Sequence, residues 1–208
     1  MKKYALMMDE KIDVIINRGN NEEVHTLYRI RALKQFGDVR KGELGGYIEH
    51  EGNLSQTGFS WVHDNSMVLE NAQVSEHAKL RDNSIVYGNA IISGTAVISY
   101  NSRVFDNAYV YGLAHVMNDA TVFGNANVSD ETGIIDNAMV FGDASIHGHA
   151  CIMGGAAVFG CSDISGNAVI SGNSRVCDKF ITGDARINCT PEIYLKIKKA
   201  FIWINFNT

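Results

Sequence analysis

An uninterrupted step of six residues constrains the fold of this chain more than any other feature. Through residues 62–176 a branched aliphatic residue recurs at every sixth position, and the residue two before it is always Ala, Ser or Thr. This step cannot keep one face of an α-helix inward, because an α-helix repeats every 3.6 residues. Two inward residues separated by one outward residue are typical of a short β-strand, so each repeat predicts one strand and one turn.

Residues that accept a left-handed backbone follow each predicted strand. Pairs such as Gly88-Asn89 and Gly124-Asn125 stand in the turns, where Gly, Asn and Asp are favoured. Three successive six-residue repeats, called rungs below, close a triangular coil of eighteen residues, with the aliphatic side chains filling its interior. The predicted fold is therefore all-β, a left-handed parallel β-helix of about eight coils.

The two recurring positions, the aliphatic column and the small column two residues before it, divide the chain into three parts. Residues 47–189 are predicted to form the β-helix, and residues 1–46 a small β-rich cap that contains strand-like runs at 11–16 and 26–31. Residues 190–208 are predicted to form a C-terminal helix, with Thr190 as its cap and Pro191 in its first turn. Both additions are expected because a solenoid needs its open ends covered.

Charge and composition exclude several classes of partner. A net charge of -5 provides no basic surface for a nucleic-acid duplex. The first residues contain no apolar run long enough for a signal peptide or a membrane-spanning helix. The four cysteines show no C-x-x-C spacing and are expected to be reduced thiols. A cytoplasmic protein without membrane contact is therefore expected.

One outward column predicts an interface. It contains Leu69, Tyr87, Phe105, Phe123, Phe141 and Phe159. An exposed apolar ladder of this length is typical of a contact surface, which favours a homo-oligomer, with a trimer preferred. The alternative is that the C-terminal helix covers this column within one chain. Arg103 and Arg175 flank the column and, with Tyr109 and Tyr111, are candidates to bind a small anionic ligand, although surface arginines are often simply solvated.

Titratable residues gather at one corner of the predicted prism, between a polar face and a second apolar face. The candidate catalytic residues are His147, His149, Glu131 and His115, with Cys151 beside them. A His oriented by a carboxylate suits a general base in acyl transfer. The histidines and the thiol could instead hold a transition metal, and a solvated polar surface is the third alternative. The favoured expectation is that no metal and no cofactor bind.

The rungs resemble two groups of hexapeptide-repeat proteins. Rungs that read Val86-Tyr87-Gly88-Asn89-Ala90, with the segments 26–33 and 42–48, are similar to phage- and prophage-encoded hexapeptide-repeat proteins often labelled as transferases. This resemblance covers residues 26–187. More distantly, the repeat resembles hexapeptide acyltransferases. Those enzymes usually carry a loop inserted between coils, and no loop interrupts residues 62–176.

Two functions remain open from these resemblances. The first is a non-catalytic oligomeric binding scaffold, favoured by the unbroken rungs and the aromatic column. The phage resemblance implies that it would sequester a host protein or a nucleotide-like signal in the host cytoplasm. The second is an acyltransferase that uses acyl-CoA, with a His at a corner between subunits. Neither resemblance assigns a catalytic residue to this chain.

Overall fold

The computed structural model describes residues 2–19 and 21–189, and it confirms an all-β parallel solenoid of about eight coils. One short 3-10 helix spans Glu51–Asn53. The strands of the described residues, β1 to β25 in chain order, are Tyr4–Arg18, Asn21–Ala32, Leu44–Ile48, Trp61–Val62, Met67–Val68, Gln73–Val74, Lys79–Leu80, Ile85–Val86, Ile91–Ile92, Val97–Ile98, Arg103–Val104, Tyr109–Val110, His115–Val116, Thr121–Val122, Asn127–Val128, Gly133–Ile134, Met139–Val140, Ser145–Ile146, Cys151–Ile152, Ala157–Phe159, Asp163–Ile164, Val169–Gly172, Arg175–Cys177, Phe180–Ile181 and Arg186–Cys189.

Parallel pairing between successive coils builds three sheets. Val122, for example, pairs with Val104 of the coil before it and with Val140 of the coil after it. The aromatic face contains every third strand from β5 to β23, the polar face every third strand from β6 to β24, and the second apolar face every third strand from β4 to β25. This triangular arrangement of two-residue strands is consistent with the predicted left-handed β-helix.

Both inward columns are buried, as the six-residue step predicts. Val122 and Ala120 in the middle of the solenoid have 0% exposure, and the aliphatic and small columns form one continuous core. Serine fits the small column because nearby backbone carbonyl oxygens accept a hydrogen bond from its hydroxyl. Ser102 Oγ, for example, donates to the carbonyl oxygens of Ser99 and Val116 at 2.7 and 3.1 Å. A buried hydroxyl is tolerated when it is hydrogen-bonded in this way.

The turns have the left-handed backbone that their residues predict. Gly124 has φ 72° and Asp106, one coil earlier, has φ 58°. A Cβ on Gly124 would lie 2.9 Å from the backbone nitrogen of Gly142, so neighbouring turns are closely stacked. The Asp106 carboxylate accepts the N–H of Gly124 at 3.2 Å. An acidic residue in one turn therefore also stabilises the turn of the next coil.

An antiparallel hairpin, β1 and β2, precedes the solenoid and pairs with β3, which in turn pairs with β5 at the edge of the aromatic face. The strand-like runs predicted at 11–16 and 26–31 lie within β1 and β2. Edge-to-face contacts of the rings of Tyr4 and Phe36 with Trp61 extend the core at this end.

Lys3 is buried beside these rings, where its Nζ donates to the carbonyl oxygen of Ser60 at 2.9 Å. Burial, together with the charge of Lys34, lowers the pKa of Lys3 to about 8. The ammonium is thus held in place by hydrogen bonds but disfavoured by its burial.

The predicted C-terminal helix, residues 190–208, lies outside the described residues. Within residues 2–19 and 21–189, no helix is long and apolar enough to cross a membrane.

Candidate functional site

The predicted aromatic column forms a continuous stack of rings. The rings of Tyr87, Phe105, Phe123, Phe141 and Phe159 follow one another at centroid distances of 4.7, 5.0, 4.8 and 5.0 Å, with interplanar angles of 9° or less. Each ring face covers the next, so the rings are half-buried within one chain. The guanidinium of Arg175 lies over the last ring at 5.4 Å.

Leu69, which precedes the rings in this column, has 0% exposure. The hairpin reaches this corner of the solenoid, since Arg18 and His25 both contact Glu70, the next residue. Leu69 therefore offers no surface to a partner, and the predicted interface rests on the five rings alone.

The four candidate ligand-binding residues do not share one pocket. Arg103 lies on the aromatic face and lines a groove of about 220 Å³ with Asn101, Asp119 and Thr121. Arg175 is four coils further along the same face. The rings of Tyr109 and Tyr111 stack at 4.4 Å on the polar face, where the Tyr109 hydroxyl is hydrogen-bonded to Ser93. The four candidates therefore lie on two different faces of the solenoid and do not form one ligand site.

The turn between the polar face and the second apolar face brings Glu131 and His149 together, as the coil period predicts. The distance from His149 Nδ1 to Glu131 Oε2 is 3.2 Å, and both side chains are more than half exposed. They line a groove of about 410 Å³ with the apolar side chain of Leu113. Beneath them, the Asp130 carboxylate accepts the N–H of Gly148 at 2.8 Å. The backbone under the His–Glu pair is therefore fixed.

A second His–carboxylate pair lies two residues away on the polar face. His147 Nε2 is 2.9 Å from Asp163 Oδ1, and both side chains are 40% exposed. The sequence reasoning missed Asp163. The eighteen-residue period of the coils could have found it. Asp163 pairs in register with Ser145, so it lies one coil beyond the strand that contains Ser145 and is followed by His147.

His115 and Cys151 lie on the second apolar face, outside the groove of His149. Each pairs in register with Gly133, which stands between them without a side chain. Burial and the charge of Asp136 raise the pKa of the Cys151 thiol. Among the described residues, the ligand atoms of His, Cys, Asp and Glu come within 4.8 Å of one another in groups of three only at Glu23, His25 and Glu70, far along the chain from this corner.

The sequence reasoning also missed a groove of about 520 Å³ beside the N-terminal segment, lined in part by Asp38, Phe59, His77 and Lys79. Lys79 Nζ is 2.6 Å from both carboxylate oxygens of Asp38. This hydrogen bond lowers the pKa of Asp38. The groove depends on where the segment after β2 lies, which the repeat does not determine.

Comparison with known proteins gives a partial similarity. No protein-family model matches the chain. Over 81 residues, 38% of this chain, it is 31% identical to "Uncharacterized acetyltransferase YdcK" of Escherichia coli (strain K12). The aligned segment spans 24% of that protein's length. The chain is thus a β-solenoid with a partial similarity to a protein named as an acetyltransferase.

Proposed function

We propose that this chain transfers an acyl group from acyl-CoA to a hydroxyl or amine acceptor, with His149 as the general base. The geometry that supports this proposal is the His149–Glu131 pair at the edge of an open groove. The partial similarity to a protein named as an acetyltransferase supports the same reaction class. Acyl-CoA is a cytoplasmic metabolite, in keeping with the location expected from the sequence.

The orientation of the His149 ring suits this role. The Glu131 carboxylate lies 3.2 Å from Nδ1 of His149, so its negative charge favours the proton on that nitrogen and leaves the Nε2 lone pair free. Nε2 would remove the proton of the acceptor as its oxygen or nitrogen attacks the thioester carbonyl carbon. The tetrahedral intermediate then breaks its C–S bond, and the CoA thiolate takes the proton back from the imidazolium.

The His147–Asp163 pair suits the base role less well. Asp163 contacts Nε2 of His147, so the nitrogen left to act as a base is Nδ1, which lies closer to the backbone of its own residue. The hydrogen bond of His147 to Asp163 and its smaller exposure favour a structural role on the polar face, two residues from His149. Single substitutions at His147 and at His149 would distinguish the roles of the two pairs.

A neighbouring subunit would complete the site. His149 is 62% exposed in one chain, and a groove this open excludes little water from a reacting thioester. A homotrimer, in which the corner of one prism faces a face of the next, would supply the missing wall. Native mass spectrometry would report a trimer if this arrangement is correct, and a monomer at micromolar concentration would contradict it.

Release of the CoA thiol, followed with a thiol-reactive dye across a panel of hydroxyl and amine acceptors, tests the reaction. His149→Asn should lower kcat/KM by about 10²–10⁴-fold, and Glu131→Gln by a smaller factor. His77→Asn is the matched control, because His77 occupies the same column four coils earlier. Turnover that survives His149→Asn unchanged would refute this assignment.

A non-catalytic binding scaffold is the second candidate. The absence of any inserted loop in the described coils and the continuous ring stack favour it. A phage origin and a host protein or nucleotide-like ligand belong to this candidate and rest on the sequence resemblance. It would be preferred if the protein neither turned over nor bound acyl-CoA.

A further inference from the structure

One histidine and three glutamates gather where the hairpin meets the first coils. Glu23 and His25 lie two residues apart on β2, and alternate residues of a strand face the same side. Glu49 follows β3 and Glu70 follows β5, in neighbouring coils. The side chains of His25 and Glu70 are only 14% and 11% exposed. Glu49 and Glu23 are more exposed, at 25% and 48%, but the carboxylate of Glu70 is buried, and a buried charge requires a compensating positive charge nearby.

The geometry of three of these side chains matches a metal site. His25 Nε2 is 3.5 Å from Glu70 Oε1 and 3.8 Å from Glu23 Oε2, and all three atoms lie within 4.8 Å of one another. Tetrahedral ligands at about 2.1 Å from a zinc ion are separated by about 3.4 Å. Both His25 Nε2 and Glu70 Oε1 are buried without a hydrogen-bond partner in the described structure. These two buried polar atoms therefore lie 3.5 Å apart with neither making a hydrogen bond.

The surrounding contacts orient both ligands. His25 Nδ1 is 3.0 Å from Glu49 Oε1, which can only accept, so the ring proton belongs on Nδ1 and the lone pair on Nε2. Burial alone would raise the pKa of Glu49, but hydrogen bonds from the His25 ring and the Glu70 N–H lower it. A ligating histidine whose other nitrogen donates to a carboxylate is the usual arrangement around protein-bound metals.

Glu70 is held in a similar way. Its Oε2 accepts the N–H of Gly88 and the guanidinium of Arg18, each at 2.7 Å, so Oε1 remains available. His50 also faces this cluster. Its Nδ1 accepts the N–H of Gly52 and its Nε2 contacts the carbonyl oxygen of Glu70, which is the pattern of a neutral ring. Three carboxylates against one guanidinium leave two negative charges, which a divalent cation would neutralise.

We propose that Glu23, His25 and Glu70 bind one divalent transition-metal ion, for which Zn²⁺ is the natural probe given one nitrogen and two oxygen ligands. The ion joins the far end of the hairpin to the first coils of the solenoid, because two ligands come from β2 and one from the turn after β5. This role is structural and independent of the proposed acyl transfer.

Zinc content and affinity of the full chain test the proposal. After dialysis against chelator and then zinc, mass spectrometry of the metal should give one ion per chain. Glu23→Gln should weaken zinc binding about 100-fold or more, and Glu49→Gln about 10–100-fold. Glu22→Gln, an exposed neighbour on the same strand, is the charge-matched control and should bind zinc normally. Because Glu23 is half exposed, its substitution leaves the fold intact.

Two further measurements distinguish zinc bound at the hairpin from zinc bound by the cysteines. Hydrogen exchange of the backbone over residues 11–27 should slow on addition of zinc in the wild-type protein and stay unchanged in Glu23→Gln. Cobalt in place of zinc should show no thiolate charge-transfer band. Zinc that is not retained at micromolar concentration, equal affinities of Glu23→Gln and Glu22→Gln, or a thiolate band from the cysteines would each overturn the proposal.

Discussion

The ring stack on the aromatic face allows a stability prediction with an internal control. Phe123 lies between Phe105 at 5.0 Å and Phe141 at 4.8 Å, whereas Tyr87 at the end of the stack has one ring neighbour, Phe105, at 4.7 Å. Each aromatic pair contributes about 0.5–1.5 kcal/mol beyond the area it buries. Phe123→Leu should therefore lose about 1–3 kcal/mol of ring contacts, and Tyr87→Leu about half of that.

Equilibrium unfolding in urea measures both losses. Circular dichroism and tryptophan fluorescence should be followed together, because a solenoid can unfold in parts and the two transitions must coincide for the comparison to hold. A double-mutant cycle on Phe105 and Phe123 should give a coupling energy of about 0.5–1.5 kcal/mol. The loss caused by each substitution comes from contacts within one chain, so the difference in midpoint between variant and wild type should not depend on protein concentration.

Two results would refute this reasoning. Equal losses for Phe123→Leu and Tyr87→Leu, with a coupling energy near zero, would show that the stacked rings do not interact measurably. A transition midpoint that rises with protein concentration, and loses that dependence in Phe123→Leu, would show that association between subunits stabilises the column.

Three further predictions follow from burial. Val122→Ala, in the middle of the core, should lower the free energy of unfolding by about 2–3 kcal/mol, whereas Thr121→Ala on the outside should change it by less than about 0.5 kcal/mol. Similar losses for the two variants in urea unfolding would contradict the assignment of Val122 to the inward column. Burial lowers the pKa of Lys3 to about 8. Above that pH the unfolded chain binds more protons than the folded chain, so the free energy of unfolding of the wild type, relative to Lys3→Met, should rise by about 1–2 kcal/mol between pH 7.5 and 9.5. A difference in urea unfolding that does not change with pH would be evidence against a buried ammonium. Because burial raises the pKa of the Cys151 thiol, alkylation at pH 8, mapped by peptide mass spectrometry, should be about tenfold slower at Cys151 than at the exposed Cys161, and equal rates would argue against this burial.

The repeat determines the solenoid because each rung obeys the same local rule. Val122 and Ala120 point inward since they are two residues apart on a strand, and Gly124 turns the chain since it tolerates a positive φ. The pairing of Glu131 with His149 also follows from the period, because residues eighteen apart stack in successive coils. These predictions need only sequence distance and residue type.

Contacts made by segments outside the repeat could not be predicted in this way. Glu23 and His25 have strand-like surroundings in sequence, but nothing in the period tells which corner of the solenoid the hairpin reaches. The contact of His25 with Glu70, and therefore the proposed metal site, depends on that docking. For the same reason the repeat predicts an outward Leu69, whereas Leu69 is buried where the hairpin meets the coils.

The proposed reaction requires that this prism bind acyl-CoA at the corner of His149. Turnover depends on an acceptor whose identity is unknown, whereas the donor is common to every acceptor, so donor binding is the most direct test. Calorimetric titration of acetyl-CoA into the full chain should show saturable binding with a Kd between about 1 μM and 1 mM. The absence of any binding heat up to millimolar acetyl-CoA, at more than one temperature, would contradict the claim and favour the non-catalytic scaffold.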